Sequence, residues 1–331
     1  MSASRLTLAL DAGAVHLPPD GDIALYGAPA GMDISALPPA RLVIVQGSAP
    51  DHAYWDAMGL RVRVAPPEGA AGAIVCIPRA KEAARSVLAQ ALAHGGPVIV
   101  DGQKTDGIDS LMRELRARVE VAAAFSKAHG KCFAISGTPA ALADWRMPDL
   151  SRTASGWLTA PGAFSADGPD PGSVALAAAL PEQMKGRVAD LGAGWGYLSF
   201  QVLERAGVTE CTLVEAEHAA LDAARANIDD PRARFHWADA TRWSDDAPFD
   251  HVVMNPPFHS GRAATPALGA AFIAAAARLL SPKGTLWLVA NRHLPYEGAL
   301  ATHFAETRPL EGPPAYKLIA ATRPKGARRR R

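Results

Sequence analysis

Short apolar runs of β type alternate with helical runs twice along this chain, and that alternation admits few arrangements besides mostly parallel sheets covered by helices. In the first half the β-type runs fall at 22–26, 41–46, 61–64, 73–77 and 98–100, with a helical run at 79–94. In the second half they fall at 187–191, 211–214, 234–237, 251–254, 285–289 and 316–321, with helical runs at 197–205, 218–228 and 267–280. This second order is that of a doubly wound α/β sheet. Between the halves, 138–171 is rich in Pro, Gly, Ser and Asp without sustained periodicity, which predicts a linker. A chain of 331 residues accommodates two domains, each with its own core. The expected boundaries are 1–150, 160–322 and a basic tail at 323–331.

Composition narrows the setting. With 49% hydrophobic and 20% charged residues the chain reads as a globular protein and not as a disordered one. The apolar run at 6–10 is broken by Asp11, too soon for a signal peptide or a membrane span, so a cytoplasmic protein without membrane contact is expected. Cys76, Cys132 and Cys211 are odd in number, far apart and outside any ligand spacing, which argues against a disulfide framework and against a metal site. The net charge of +1 conceals a cluster of Arg323, Lys325, Arg328, Arg329, Arg330 and Arg331 at the end of the chain. Such a tail is either a solvated end or a grip on phosphates, with Arg328 and Arg329 the candidate substrate contacts in the second case.

The two halves echo each other. Residues 73–78, a helix, Gly95-Gly96 and 97–100 parallel residues 251–256, a helix, Gly284 and 285–289, both in the order strand, proline, helix, glycine, strand. An internal duplication explains this, as does coincidence between two α/β domains.

Asp190-Leu191-Gly192-Ala193-Gly194-Trp195-Gly196 joins the first β-run of the second half to its first helix. Glycine there allows positive φ and close approach to a ligand. The spacing is GxGxG with an acid two positions ahead, whereas the dinucleotide fingerprint is GxGxxG and sets a pyrophosphate on a helix N-terminus. An acid such as Asp190 suits a ligand without phosphate, one with an amino-acid head and a sulfonium. Glu215 ends the next strand, where acids accept hydrogen bonds from ribose hydroxyls, with Glu217 as the fallback. Ala238 and Asp239 follow the third strand and are expected at the adenine edge. Together these residues predict S-adenosylmethionine as cofactor, held by Asp190, Gly192, Ala193, Gly194, Gly196, Glu215, Ala238 and Asp239, with Asn255 beside its methyl group.

Asn255-Pro256-Pro257-Phe258-His259 follows the apolar run at 251–254, at the sheet edge where open α/β folds bind ligands. Adjacent prolines fix φ and remove two donors, which leaves rigid carbonyls. A conjugated primary amine is a poor nucleophile, and an Asn oxygen with a nearby carbonyl can accept its two N–H hydrogens, aim its lone pair and stabilise the developing charge. Asn255, Pro256, Pro257 and Phe258 are therefore the candidate catalytic residues, with Phe258 stacking on a planar substrate. His259 either lines the substrate pocket or satisfies local backbone.

On these residues the chain resembles class I methyltransferases. The run from Asn255 to His259 with Gly261 resembles the small-subunit ribosomal RNA guanine-N2 methyltransferases (RsmC-type), as do Phe164-Ser165-Ala166-Asp167-Gly168 through Gly172-Ser173, residues 289–296, Tyr316-Lys317-Leu318 and, more loosely, residues 102–108. The resemblance implies two tandem Rossmann-like methyltransferase domains, the first a degenerate copy that has lost the cofactor and helps in RNA binding. Here Ile77-Pro78-Arg79 stands where the tetrapeptide is expected, and the first half has no GxGxG. The family commonly has Cys where this chain has Ala193, and the first half diverges. The implied activity is methylation of guanine N2 in 16S ribosomal RNA by a monomer acting on the small subunit or its precursor. Large-subunit guanine-N2, adenine-N6 and protein glutamine-N5 methylation remain alternatives, since each substrate offers a conjugated amine. A non-catalytic RNA-binding assembly protein is the alternative outside the enzymes.

Overall fold

The computed structural model describes residues 4–257, 259–260, 263–264 and 266–325. The chain divides into two compact units, Met1–Asp149 and Leu150–Arg331. Among the described residues no helix is long and apolar enough to cross a membrane, and no cluster of His, Cys, Asp and Glu could hold a metal ion.

The first unit is built on strands β1 (Ile23–Tyr26), β2 (Leu42–Val45), β3 (Arg61–Arg63), β4 (Gly72–Cys76), β5 (Val98–Gln103), β6 (Glu120–Val121), β7 (Phe125–Lys127) and β8 (Gly130–Ser136). They form one sheet in the order β3-β2-β1-β4-β5-β8-β6, with β7 also paired to β8. The first five strands are parallel, while β8 runs against β5, β6 and β7. Helices α1 (Arg5–Asp11), α2 (Ala49–Ala57), α3 (Lys81–Leu92) and α4 (Ile108–Arg116) cover its faces. The alternation of side chains along a strand divides the core: Ile23 and Leu25 pack with Leu6 and Trp55, while Ala24 and Tyr26 pack with Leu88 and Leu111.

In the second unit a small hairpin, β9 (Ser151–Arg152) with β10 (Leu158–Thr159), precedes α5 (Pro171–Ala179). The main sheet contains β11 (Gly186–Leu191), β12 (Val208–Glu215), β13 (Ala233–Trp237), β14 (Phe249–Met254), β17 (Leu280–Asn291), β18 (Phe304–Leu310) and β19 (Tyr316–Pro324). A two-stranded ribbon, β15 (His259–Ser260) with β16 (Ala263–Ala264), lies between β14 and β17 in sequence. Helices α6 (Tyr197–Leu203), α7 (His218–Asn227), α8 (Pro266–Leu279) and α9 (Glu297–His303) complete the unit. The sheet order is β13-β12-β11-β14-β17-β19-β18, parallel except for β19, which opposes both neighbours. Val188 and Val253 face a core with α6 and α7, whereas Ala189 and Val252 face one with α8.

The order reverses at β11, which pairs β12 on one side and β14 on the other, so the loops leaving these three strands share one crevice. The predicted strands of both halves all recur, most within one or two residues, while β5, β12, β17 and β19 extend three to five residues past the expected runs, and several elements were not anticipated. The expected linker holds a 3-10 helix at Pro139–Trp145 and the β9–β10 hairpin. Strands β6, β7 and β18 are short or carry exposed polar residues, which gives the sequence no apolar run to show. Strand β17 starts at Leu280, because the turn-forming Pro282 and Gly284 sit in a register shift against β14 that ordinary patterning reads as a break.

Candidate functional site

The glycine loop leaves β11 and caps α6. Gly192 donates its backbone N–H to Val214 O at 2.8 Å, tying the loop to β12. Gly194 has φ +56°, and a Cβ built on it would meet nothing within 4 Å, so this stretch of backbone faces open space. Gly196 has φ +93° and its missing Cβ would lie 2.9 Å from Ile228 Cδ1 and 3.2 Å from Ala224 Cβ, which makes it the point where α6 packs on α7. Ala193 is buried, and its carbonyl accepts the Gly196 N–H at 3.0 Å.

Glu215, 8% exposed, closes the loop from the end of β12. One carboxylate oxygen accepts the Gly194 N–H at 2.7 Å and the other accepts the Glu217 N–H at 2.8 Å. Burial raises its pKa, and the backbone N–H groups of Glu217, Gly194 and Ala216 oppose that rise. A carboxylate oxygen has two lone pairs, so each oxygen keeps acceptor capacity after these bonds. Asp239 and Ala238 follow β13. Asp239 Oδ1 accepts from Thr241 N at 2.8 Å and Thr241 Oγ1 at 2.6 Å in a tight turn, and Ala238 donates its N–H to Glu215 O at 2.9 Å. The Glu215 carboxylate is thereby held against the glycine backbone, and the start of the β13 loop is tied to the end of β12.

Asp190 lies beneath that surface, 1% exposed. Its Oδ2 accepts from Ser199 Oγ of α6 at 2.7 Å, while Oδ1 has no partner. Burial pushes its pKa up to about 7, the Ser199 hydrogen bond works against that, and the nearby Glu215 charge adds to it. This carboxyl braces the strand-to-helix turn from below.

Asn255 leaves β14 into the crevice. Its Nδ2 donates to Asp170 Oδ2 at 3.0 Å and to Ser173 Oγ at 2.9 Å, both from the start of α5. Among the described residues no donor meets Oδ1. Pro256 is buried and Pro257 exposed, so the chain turns outward there. The backbone of His259 enters the β15–β16 ribbon. Phe258, Arg328 and Arg329 lie outside the described residues.

Asp170 and Ser173 are the site residues that sequence reasoning missed. The signal was present as a helix start: Asp170 is the N-cap of α5, accepting the Ser173 N–H at 2.8 Å, with Pro171 at the first turn. A cap explains an Asp at that position so completely that nothing local announces its second bond. The segment before it is also drawn in, since Trp195 Nε1 of the glycine loop donates to Phe164 O at 3.1 Å.

The corresponding edge of the first sheet differs in chemistry. Gly27 donates its N–H to Val45 O at 3.0 Å, as Gly192 does to Val214 O, which aligns Tyr26 with Leu191 and Gln46 with Glu215. Gln46 Oε1 accepts the Ser48 N–H at 3.0 Å, repeating the bond from Glu217 to Glu215, but its other end is an amide that donates to Ala28 O at 2.9 Å. The pairing of β1 with β4 then aligns Cys76 with Asn255. Ile77 was the expected counterpart, and the difference of one residue arises because strand register, which sequence matching does not see, sets the correspondence.

The family described as methyltransferase small domain matches residues 156–320. The ribosomal RNA small subunit methyltransferase C of Shewanella oneidensis is 31% identical over 259 residues, spanning 74% of this chain and 75% of that one. The protein of the same name from Idiomarina loihiensis is 28% identical over 310 residues, 89% of this chain and 92% of that one. Among solved structures, the T. thermophilus 16S rRNA N2 G1207 methyltransferase (RsmC) in complex with AdoMet and guanosine superposes with a TM-score of 0.78 at 24% identity, over 93% of this chain and 90% of its own. That likeness establishes the methyltransferase fold. With this fold, a glycine loop gripped by a strand-end acid, and relatives matched over most of their length, the chain belongs to the ribosomal RNA small subunit methyltransferase C family.

Proposed function

We infer that the protein is a cytoplasmic enzyme that transfers a methyl group from S-adenosylmethionine to the exocyclic N2 of a guanine in small-subunit (16S) ribosomal RNA. The observation that carries this reading is the Asn255 amide, whose two N–H hydrogens are spent on Asp170 and Ser173, so that an acceptor oxygen is what it offers to a substrate. An amine conjugated to a purine is the partner such an acceptor fits.

The loop suits the cofactor. The open backbone at Gly194 and the remaining lone pairs of the buried Glu215 fit a ribose diol, and Asp239 with Ala238 fits an adenine edge. When bound, S-adenosylmethionine supplies the electrophilic sulfonium methyl. Asn255 Oδ1 accepts one amine hydrogen and the Pro256 carbonyl the other, which orients the nitrogen lone pair and stabilises the positive charge that develops on nitrogen. The nitrogen then loses a proton to solvent or to a neighbouring acceptor. Phe258 and His259 are read as substrate contacts, and Arg328 and Arg329 as phosphate contacts.

The first unit is read as a degenerate copy of the second. Its first five strands have the same order, Gly27 repeats the backbone bond of Gly192, and the Gln46 side chain accepts the N–H two residues on as the Glu215 side chain does. An amide at Gln46 that donates to Ala28 lacks the acceptor pair a ribose diol needs, and Cys76 offers no acceptor comparable to Asn255. That unit is assigned to RNA binding and support.

Incubation with unmodified ribosomal subunits and cofactor, followed by mass spectrometry of nuclease fragments, tests the reading. The expected product is N2-methylguanosine in small-subunit RNA. A methyl group on large-subunit RNA, on adenine N6 or on a protein glutamine overturns it.

A further inference from the structure

We propose that Asp170 and Ser173 are positioning residues that hold the Asn255 side chain with its oxygen toward the substrate amine. The proposal rests on the catalytic role given above to Asn255.

An Asn side chain presents an acceptor on one side and two donors on the other, and the two faces are similar in shape, so an unrestrained amide samples both orientations. Only one orients a substrate N–H. Asp170 Oδ2 lies 3.0 Å from Asn255 Nδ2 and Ser173 Oγ lies 2.9 Å from the same atom. Turning the amide over would aim its oxygen at a carboxylate, two acceptors face to face, and would lose a charge-assisted hydrogen bond. The chemistry of Asp170 thus selects the orientation. Ser173 is 7% exposed and fixed in the first turn of α5, and Asp170 is fixed by its own bond to the Ser173 N–H. One rigid helix start therefore carries both acceptors. They come from 85 and 82 residues earlier in the chain, so this is an arrangement of the folded unit and not of the tetrapeptide.

The helix-capping and positioning roles of Asp170 are separable. Asp170→Ser keeps a good N-cap oxygen for the Ser173 N–H, but its shorter side chain no longer reaches Asn255. Asp170→Asn can set its amide oxygen where Oδ2 lies, the one atom that accepts from both the Ser173 N–H and Asn255 Nδ2, so it keeps both bonds and removes only the charge. Ser173→Ala leaves the Asp170 carboxylate in place and removes the second acceptor.

The test measures single-turnover methylation of small-subunit RNA, cofactor Kd and thermal midpoint for each full-length variant, alone and combined with Asn255→Ala. Asp170→Ser is expected to lower kcat by about 10–100-fold, the scale of a misplaced catalytic group, and Asp170→Asn, which keeps the acceptor without the charge, by less. Ser173→Ala is expected to lower it by a smaller factor. Cofactor Kd and the thermal midpoint of Asp170→Ser should stay near wild type. In the Asn255→Ala background the Asp170 substitutions should have no further effect, because the group they position is gone. Wild-type kcat in Asp170→Ser, or an equal further loss in the Asn255→Ala background, overturns the proposal. Failure of the wild-type protein to methylate the RNA would instead overturn the function on which it rests.

Discussion

The Gly194 N–H donates to Glu215 across 2.7 Å, and the same carboxylate binds the Glu217 N–H through its other oxygen. One buried acid thus shapes the glycine loop from the neighbouring strand. The acceptor must be an anion or a carbonyl at both ends, which Gln46 in the first sheet is not.

Glu215→Gln should therefore weaken cofactor binding by about 10–100-fold, since an amide N–H would face the Gly194 N–H and hydrogen bonds to a charged group contribute roughly 1.5–3 kcal/mol. Calorimetric titration with S-adenosylmethionine checks this. Wild-type affinity would separate Glu215 from the cofactor.

Asn255→Ala should leave cofactor affinity within about threefold and slow methyl transfer by about 10²–10³-fold, the scale for one preorganised polar contact. Single-turnover transfer from radiolabelled cofactor reads both quantities. Near-normal transfer would remove Asn255 from the mechanism.

Two alanine substitutions in the loop should differ in cost. Gly194→Ala meets only the left-handed backbone penalty of about 1–2 kcal/mol. Gly196→Ala adds a collision with Ile228 and Ala224, for a total of about 2–4 kcal/mol. Urea unfolding of the two variants gives the comparison, and equal losses would mean that the α6–α7 contact yields easily.

Asp190 makes stability depend on pH. Its folded pKa of about 7 lies above the ordinary 3.8, so the folded protein holds a proton that the unfolded chain releases. The stability it contributes is present at low pH and is lost as pH rises from about 4 through 7, by up to a few kcal/mol. Removing this titration in Asp190→Asn, which can still accept from Ser199, should flatten the pH dependence of urea midpoints between pH 5 and pH 8, approximate limits set by the same linkage. Identical profiles for variant and wild type would show that Asp190 ionises as an ordinary carboxyl.

Much of the plan was legible because it is local. Apolar runs such as 251–254 announce buried parallel strands, since both faces of such strands are covered. The GxGxG spacing announces a backbone that must take positive φ, and Gly192, Gly194 and Gly196 all do so. The short antiparallel strands and the hairpin at 151–159 were not legible, because exposed polar residues carry no periodic signal.

Conformation along the chain follows from neighbouring residues, so the succession of strands and helices, the glycine turn and the rigid prolines after Asn255 could be read from residue pattern alone. Partnership across the chain depends on which strand edges meet and in what register. That is why the Asn255 amide, recognisable in the sequence as a candidate, acquires its orientation only when α5 brings Asp170 and Ser173 against it. For the same reason Glu215 becomes a clamp on Gly194, and Cys76 aligns with Asn255, only once the sheets are paired.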